Sequence, residues 1–454
     1  MSQKPSIPKG TRDFSPSEIY RRTYIIDHIR SAFQRYGFLP IETPSMENLS
    51  TLIGKYGEEG DRLIFKILNS GDFLKKVDNK EALVFNQWIP KISEKALRYD
   101  LTVPFARYVV QHMNEISLPF KRYQMQTVWR ADRPQKGRFR EFFQCDADVV
   151  GSSSLLYEVE FIQLYDAVFS TLKIPTIIKL NNRKILSGIA EILGEEDKLI
   201  EITVALDKLD KIGIDKVKDE MLTKGISKKS IDKIDPIINL KGSVFEKLNQ
   251  LRLLLHDSSI GIKGIEEIKE VFDKIYMLGL ETSTLDFDIT LARGLNYYTG
   301  SIFEIEAKGV SIGSIGGGGR YDDLTGVFGL NDIPGVGISF GLDRIYLVLE
   351  ELGLFPNFQE NLCQVLFVNF GTSEADFCLK ALTKIRRAGI NAELYPDAAK
   401  MKKQMNYAHK KNISYVVLVG EDEIAKDLLT VKNMNDGNQS LHSVTELIDL
   451  IRTK

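Results

Sequence analysis

The sequence has little of several features that mark particular protein classes. It contains three cysteines among 454 residues, too few and too scattered for a disulfide framework or a CxxC metal site: Cys145, Cys363 and Cys378. It has no uninterrupted run of about 18 apolar residues, and its first ten residues contain no apolar stretch. We therefore expect neither a membrane span nor a secretion signal, but a cytoplasmic protein with reduced thiols.

An excess of charge of one sign is also missing. The sequence has 60 basic and 62 acidic residues, so any surface that binds nucleic acid must be a local basic patch. The chain is 43% hydrophobic and 27% charged, which excludes a wholly disordered or collagen-like protein. At roughly 150 residues per domain, its length predicts two to four domains.

The first 173 residues predict the first part of a catalytic core. Apolar residues at helical spacing, from Ile19 to Phe33, indicate a long helix that ends at Gly37. A short strand at 38–41 follows, and Pro44 prevents it from continuing as a regular inner strand. Further strand-like runs stand at 63–67, 96–102 and 120–126.

The rest of the chain divides into four parts that differ in their residue pattern. Residues 174–285 are rich in charged helical sequence and predict a mostly helical insertion, whose first strand could also belong to the core. A solvated continuation of the core is the alternative. Residues 286–355 again contain strand-like runs and are predicted to complete the core. Residues 356–361 are predicted to form a short linker. Residues 362–454 alternate strand and helix, which predicts a small α/β domain around a sheet with parallel strands.

Residues 129–144 form the most informative segment. A turn at 134–137 separates two strand-like flanks, and the segment from Arg130 to Arg140 carries five basic residues against one acid. Several guanidinium groups on a hairpin suit a polyphosphate, because arginine makes bidentate contacts to phosphate oxygens. An ordinary exposed basic hairpin is the alternative, but the aromatic Phe142 is placed to stack on a base.

The strand that follows this hairpin carries alternating polar residues. Gln144, Asp146 and Asp148 share one strand face, and Cys145 points the other way, into the core. Acids that alternate beside a basic loop are unfavourable in an apolar core. We therefore expect this face to bind a polar ligand.

Several of these segments resemble a known family. ArgAlaAsp at 130–132 with the Arg138–Phe142 run resembles motif 2 of the class II aminoacyl-tRNA synthetases, and 337–344 resembles motif 3. The helix ending at Gly37, with the strand and proline after it, resembles motif 1. The segments LeuAlaArgGlyLeuAsnTyrTyrThrGly and GlyGlyGlyGlyArgTyrAsp, at 291–300 and 316–322, are similar to the two signatures of the histidyl-tRNA synthetases, and the LysGlyThrArgAspPhe opening at 9–14 agrees with that family.

The resemblance implies both a fold and an activity. The fold would be α+β: an antiparallel sheet core flanked by helices, a helical insertion, and a C-terminal α/β anticodon-binding domain. The activity would join histidine and ATP into histidyl-adenylate and pyrophosphate, then transfer histidine to the 3′-terminal adenosine of tRNA(His). Motif 1 builds a dimer interface in this class, so a homodimer is implied.

The resemblance also implies roles for individual residues. The catalytic residues would be Arg130 and Arg293, which flank the α-phosphate. The ATP site would comprise Arg130, Arg138, Phe142 and Arg344, with Mg²⁺ bound through the phosphates and no metal site built by the protein alone. The histidine site would comprise Asp100, Thr102 and Gln144 for the α-amino group, and Asp148, Tyr297 and Tyr298 at the imidazole. Two positions depart from the family pattern: Asp132 replaces a glutamate, and Asn296 replaces an aspartate.

Two basic segments are candidates for tRNA contact. Gln135 and Lys136 stand in the hairpin turn, and the lysines Lys400, Lys402 and Lys403 lie near a helix with Met401, Met405 and Ala408 on one face. A solvated helix face is the commoner explanation of such a lysine run. In a terminal domain attached to a nucleotide-activating core, tRNA contact becomes the better hypothesis.

Other functions remain possible from sequence alone. The synthetase-like regulatory subunit of ATP phosphoribosyltransferase is one alternative, disfavoured by the intact motif arginines and the terminal domain. A biotin- or lipoate-ligase-like enzyme is another, but it leaves the tyrosine pair unexplained. The four glycines at 316–319 predict either a flexible loop or, as we favour, a backbone that lies close to a ligand.

Overall fold

The computed structural model describes residues 4–75, 85–292, 297–357 and 363–453. Contacts within the chain divide it into two compact units: the larger comprises Met1–Phe14 and Arg21–Phe355, and the smaller comprises Ser15–Tyr20 and Pro356–Lys454. Within the described segments, no helix is both long and apolar enough to cross a membrane.

The larger unit contains a sheet whose eight described strands, numbered in chain order, follow the spatial order β1-β5-β6-β11-β10-β9-β7-β8. The strands are β1 (Leu39–Pro40), β5 (Phe120–Trp129), β6 (Glu141–Val150), β7 (Thr176–Asn182), β8 (Thr284–Phe287), β9 (Ser301–Ala307), β10 (Gly316–Tyr321) and β11 (Gly335–Gly341). The outermost pairs, β1 with β5 and β7 with β8, are parallel, and the inner pairs are antiparallel. The predicted α+β class is confirmed, in a sheet that is mixed at its edges.

One face of this sheet packs against helices. The backing helices are α1 (Pro16–Arg35), α6 (Leu156–Thr171) and α15 (Leu342–Glu351). Phe33 of α1 and Phe161 of α6 are fully buried in the cluster that also contains Cys145 of β6. The predicted inward direction of Cys145 is therefore confirmed, and the residues that alternate with it face away from this cluster.

A second, three-stranded sheet stands beside the first, in the order β2-β4-β3. Its strands are β2 (Met46–Asn48), β3 (Lys66–Ile67) and β4 (Lys95–Leu97), and its helices are α2 (Leu49–Leu52), α3 (Gly57–Leu63), α4 (Phe85–Ile92) and α5 (Thr102–Gln111). The strand-like interpretation of 63–67 and 96–102 is thus only partly correct. Oδ1 of Asp100 accepts a hydrogen bond from the backbone N–H of Val103 at 3.1 Å, which helps to end the extended stretch and begin α5.

Strand β7 belongs to the central sheet, where it pairs with β9, so the helical part of 174–285 begins after it. The helices are α7 (Arg183–Leu193), α8 (Leu199–Leu206), α9 (Leu209–Ile212), α10 (Ile214–Thr223), α11 (Lys228–Asp232), α12 (Asp235–Ile238), α13 (Val244–Leu254) and α14 (Ser259–Leu278). Helices α7 and α14 approach closely, since a Cβ on Gly188 would lie 2.5 Å from the Cα of Gly261. The buried side chains of these helices join the same hydrophobic cluster as the sheet.

The smaller unit is built on a sheet in the order β13-β12-β14-β15-β16. Its elements are β12 (Val365–Phe367), α16 (Thr372–Arg387), β13 (Ala392–Leu394), α17 (Met401–Lys410), β14 (Tyr415–Leu418), α18 (Glu421–Lys426), β15 (Leu429–Asn433), β16 (Gln439–His442) and α19 (Val444–Arg452). The pairs β12 with β13 and β12 with β14 are parallel, as predicted for an α/β domain.

The buried face of α17 differs from the apolar face expected from its sequence. Met401 is exposed, whereas Gln404 is fully buried with Ala408. The Gln404 side chain donates to the carbonyls of Asn369 and Ala399 at 2.8 and 2.7 Å, and accepts from the Asn369 N–H at 2.8 Å. A satisfied amide can replace an apolar side chain in this position, which the methionine pattern could not indicate.

Candidate active site

A cavity of about 680 Å³ opens on the polar face of the central sheet in the larger unit. Strands β6, β9, β10 and β11 form its floor, and the hairpin after β5, the start of α15 and helix α8 form its sides. Cavities of about 300–1,000 Å³ are the usual size for small-molecule sites.

The cavity gathers the described residues that the sequence predicted for the histidine and ATP sites. These are Asp100, Thr102, Arg130, Arg138, Phe142, Gln144, Asp148, Tyr297, Tyr298 and Arg344. Arg293 and Asn296 lie outside the described residues. Gln135 and Lys136 do not line the cavity but are exposed in the hairpin turn, and Lys400, Lys402 and Lys403 are exposed in the smaller unit.

Glycines of β10 and β11 make room for two cavity side chains. A Cβ on Gly337 would lie 2.0 Å from Oδ1 of Asp148, and a Cβ on Gly319 would lie 2.8 Å from the Tyr298 ring. Residues 316–319 lie in strand β10, so the flexible-loop interpretation of these glycines is wrong. At Gly319 and Gly337, the missing side chain is required by the neighbours that line the cavity.

A buried ion pair holds Asp148. Arg122 stands opposite it on β5, and the two side chains approach to 2.8 Å with almost no exposure. The Tyr321 hydroxyl donates to Oδ1 of Asp148 at 2.5 Å, and burial raises the pKa of both groups. Sequence reasoning missed Arg122 and Tyr321 as members of this site, although Tyr321 lies in the second histidine signature.

A second cluster of hydroxyl groups holds Asp100. Tyr56 donates to Oδ1 at 2.9 Å, and Tyr297 donates to Oδ2 at 3.3 Å. Burial raises the pKa of Asp100, while Arg130 and these hydrogen bonds oppose the rise. Tyr297, predicted near the imidazole, is thus tied to the carboxylate that was predicted for the α-amino group.

Two acceptor atoms on β6 lack partners among the described residues: Oε1 of Gln144 and Oδ1 of Asp146 are buried and accept no hydrogen bond. Oδ2 of Asp148 also accepts no hydrogen bond, but it is ion-paired with Arg122 at 2.8 Å. All three side chains line the cavity. Buried acceptors are rarely left unpaired, so their arrangement favours a ligand with several N–H donors.

Asp146 lies between Gln124 of β5 and Ser339 of β11 in the strand register. Its pKa is raised to about 7, chiefly by burial, with Asp148 adding to the rise and Arg122 opposing it. The alternating pattern identified Asp146 as polar and ligand-facing, but the resemblance assigned it no role. A donor-rich cation at this position would favour the ionised form.

We expect the ligand-free protein to lose stability through Asp146 as the pH rises from about 4 to about 7. The unfolded carboxyl titrates near 3.8, whereas the folded protein holds the proton until about pH 7. The folded state thus binds more protons in this window, so the free energy of unfolding falls with rising pH, by at most about 4 kcal/mol. Denaturant titrations across this window should give a flatter dependence for Asp146→Asn; an unchanged slope would contradict the assignment.

Two arginines are fixed at the hairpin end of the cavity. Nε of Arg130 donates to the Tyr99 carbonyl at 3.0 Å, and its guanidinium lies 4.3 Å from the Tyr99 ring centroid and 5.2 Å from that of Phe142. Arg344 donates to the carbonyls of Gly137 and Ser314 at 3.1 and 2.5 Å. Both cations are therefore oriented by the backbone before any ligand binds.

The N-terminal segment 9–14 supports the same end of the cavity. The Gly10 carbonyl accepts from the Arg140 N–H at 2.8 Å, and the Arg12 guanidinium lies 3.6 Å from the Phe139 ring centroid. Arg12 and Arg22 both contact Asp343 at 2.5 Å, next to Arg344. The sequence indicated this segment by resemblance only, and nothing in its pattern predicted the contacts with the hairpin.

No group of three or more metal-binding side chains occurs within the described ranges. Carboxylates that line the cavity outside the Asp100, Asp146 and Asp148 cluster include Asp132 and Glu304. This donor set fits a magnesium ion held mainly by phosphate oxygens, with one or two carboxylates.

Comparisons with known proteins agree with the motifs. The family profile for histidyl-tRNA synthetase matches residues 89–345, and the profile for the anticodon-binding domain matches residues 363–454. Proteins described as histidine-tRNA ligases from Christiangramia forsetii and Phocaeicola vulgatus are 64% and 58% identical to the chain. The first match covers 97% of both sequences, and the second covers 100% of both.

Solved structures show the same architecture. A histidyl-tRNA synthetase from Nostoc has a TM-score of 0.79 at 33% identity, and the match covers 100% of both chains. A Bacillus halodurans structure described as an ATP phosphoribosyltransferase regulatory subunit/histidyl-tRNA synthetase has a TM-score of 0.71. It is 19% identical and covers 91% of this chain and 99% of its own, so it supports the fold alone. The profile over the core and the relatives over the full length establish that the chain belongs to the histidyl-tRNA synthetase family.

Proposed function

We propose that the chain joins histidine to ATP as histidyl-adenylate, releases pyrophosphate, and passes the histidyl group to the 3′-terminal adenosine of tRNA(His). The observation that carries this proposal is the set of buried acceptors on Gln144, Asp146 and Asp148 that accept no hydrogen bond from the described residues, the last of them ion-paired with Arg122. Histidine supplies an ammonium group and imidazole N–H groups, which can satisfy these acceptors together. Family membership supports the same substrate.

Histidine and ATP would bind at opposite ends of the cavity. Asp100, Thr102 and Gln144 would bind the α-amino group, with Asp148 and Tyr298 at the imidazole and Tyr297 beside them. At the other end Arg138 and Arg344 would bind the phosphates, and Phe142 would stack on adenine. Magnesium would be held through the phosphates beside Asp132 and Glu304, and would neutralise charge on the leaving pyrophosphate.

Arg130 lies 5.2 Å from the Phe142 ring centroid and close enough to Asp100 to oppose the rise of its pKa, and it would act on the reacting atoms. The histidine carboxylate and the α-phosphate repel each other, so a fixed cation between them lowers the barrier by stabilising the charge that develops. Its anchor on the Tyr99 carbonyl positions the guanidinium in advance. Arg293, which the resemblance places opposite Arg130, remains part of the proposal.

The tRNA would contact exposed basic groups outside the cavity. Gln135 and Lys136 are exposed on the hairpin turn, where Lys136 pairs with the exposed Glu351 at 3.1 Å. A surface pair of this kind contributes only about 0–1 kcal/mol, so phosphate can displace it. Lys400, Lys402 and Lys403 are the corresponding candidates in the anticodon-binding domain. A homodimer and a cytoplasmic location complete the proposal.

The regulatory-subunit alternative predicts binding without catalysis. It is disfavoured because Arg130, Arg138 and Arg344 are present and line one cavity, and because the anticodon-binding domain is intact. The same observations give the biotin- or lipoate-ligase hypothesis no advantage.

Exchange of labelled pyrophosphate into ATP tests the first step. We expect histidine to support exchange, and each of the other nineteen amino acids to support at least about 10³-fold less, since a pocket built from buried hydrogen-bonding groups rejects side chains that leave those groups unpaired. Addition of tRNA(His) should then give charged tRNA. Binding of histidine without exchange would instead support the regulatory alternative.

A further inference from the structure

Arg183, the first residue of α7, lines the active-site cavity without an assigned role. Its backbone N–H donates to the Gly300 carbonyl at 2.8 Å, which fixes the start of the helix beside β9. Its side chain is half-buried, yet among the described residues the guanidinium has neither a hydrogen-bond nor an ion-pair partner. Burial lowers the pKa of Arg183, and no acid is close enough to raise it.

Two other arginines of this unit have close partners where they are removed from water. Arg98 donates to the carbonyls of Thr43 and Thr127 at 2.7 and 2.8 Å, and Arg320 contacts Glu158 at 2.6 Å. A desolvated cation without a partner is costly unless a ligand supplies the anion. Arg183 therefore indicates an anionic group that enters the cavity.

The strand register separates Arg183 from the arginines of the phosphate end. Strand β7 ends at Asn182 opposite Ser301, at the end of the sheet where Tyr321 of β10 stands. Gly316, at the other end of β10, pairs with Phe340, two residues before the α15 helix that carries Arg344. At about 3.3 Å per residue, the two ends of β10 are about 17 Å apart. Arg183 is therefore not part of the Arg138 and Arg344 cluster.

Helix α8 adds an apolar strip to the same side of the cavity. Ile200 and Val204, four residues apart, line the cavity and remain 51% and 45% exposed, while Ile202, Ala205 and Leu206 are buried on the inner side. A helix that is apolar on both faces normally has a second partner. A base or ribose can cover Ile200 and Val204, whereas inorganic phosphate groups cannot.

We propose that Arg183 binds a backbone phosphate of the 3′-terminal nucleotides of tRNA, with Ile200 and Val204 in contact with the adjoining sugar or base. The inference rests on the proposed aminoacylation activity, because that reaction brings a single-stranded polyanion into this cavity. A guanidinium matches phosphate through paired hydrogen bonds, and an aliphatic side chain matches the sugar and base. The small substrates use the acceptors and cations already described.

The test compares Arg183→Gln with Arg252→Gln, a change in an exposed arginine of α13 that does not line the cavity. For Arg183→Gln we expect histidine-dependent pyrophosphate exchange to stay within about threefold, and kcat/KM for tRNA charging to fall by at least about tenfold, mainly through KM. The logarithmic salt slope of that kcat/KM should become shallower by about 0.7, the value for one lost phosphate contact on a single strand. Arg252→Gln should leave all three quantities unchanged.

A second variant, Val204→Ser, should weaken charging without changing the salt slope, because it removes apolar contact and no charge. The retained exchange activity shows that each variant is folded. If Arg183→Gln lowers exchange and charging equally, Arg183 binds ATP or the adenylate, and the inference is overturned while the aminoacylation activity stands. Unchanged charging also overturns it. If the unmodified protein shows no histidine-dependent exchange, the proposed function itself fails.

Discussion

Replacement of Arg130 by alanine is expected to lower kcat/KM for histidine-dependent pyrophosphate exchange by about 10³-fold. Loss of one preorganised group that stabilises transition-state charge typically costs about 10²–10³-fold. Neither Arg344 nor Arg122 can take its place, because Arg344 is anchored to Gly137 and Ser314, and Arg122 is paired with Asp148. The effect should appear mainly in kcat, since the charge that Arg130 stabilises develops only during the reaction.

Two further variants distinguish charge from shape at this position. Arg130→Lys keeps the positive charge but loses the planar fork and the Nε hydrogen bond to Tyr99, so we expect an intermediate loss. Arg133→Ala is the matched control, because Arg133 is exposed on the same hairpin and does not line the cavity. If Arg130→Ala raised only KM for ATP and left kcat unchanged, Arg130 would be a substrate anchor and the proposed catalytic role would be wrong.

Local patterns in the sequence predicted the cavity face of β6 well. Alternation of polar and apolar residues places Gln144 and Asp148 on one side and Cys145 on the other, whatever the strand pairs with. The pattern could not identify Arg122 as the partner of Asp148. That pairing depends on the register of β5 with β6, which the sequence leaves open.

Long-range contacts explain the other residues that sequence reasoning missed. Tyr56 reaches Asp100 across 44 positions, and Arg12 reaches Asp343 across 331. No periodicity connects such positions, so only the folded chain brings them together. The runs at 63–67 and 96–102 were interpreted as strands, yet only Lys66–Ile67 and Lys95–Leu97 are strands there and Thr102 begins α5, because short apolar runs do not distinguish a strand from a buried helix.

The glycines of β10 show a different limit of sequence reasoning. Their clustering was interpreted as a backbone that lies close to a ligand, but at Gly319 the nearest groups are the Ser301 carbonyl and the Tyr298 ring of the protein itself. The space beside a glycine can be occupied by a ligand, by a side chain or by another backbone segment. The sequence does not show which of these three groups occupies it. The glycine pattern therefore located the site but not the reason for the glycine.

Replacement of Arg122 by methionine is expected to cost about 3–5 kcal/mol of unfolding free energy, because it leaves the buried carboxylate of Asp148 without its cation. Arg122 is fully buried, and its side chain also lies 4.4 Å from the Phe105 ring centroid and donates to the Leu101 carbonyl at 3.2 Å. Asp100 lies near enough to raise the pKa of Asp148, so the unpaired charge meets further repulsion. Histidine-dependent exchange should fall as well, since Asp148 would lose its orientation.

A double-mutant cycle separates the charge from the packing. Asp148→Asn removes the carboxylate charge but keeps its shape, so the double variant Arg122→Met/Asp148→Asn should recover about 1–3 kcal/mol relative to the sum of the single costs. Arg30→Met breaks an exposed pair with Asp27 and should cost less than about 1 kcal/mol. Urea unfolding of the four cycle members and the control gives these values. Strictly additive costs would mean that Arg122 supports the fold without acting on Asp148, and that the histidine pocket is not held by this ion pair.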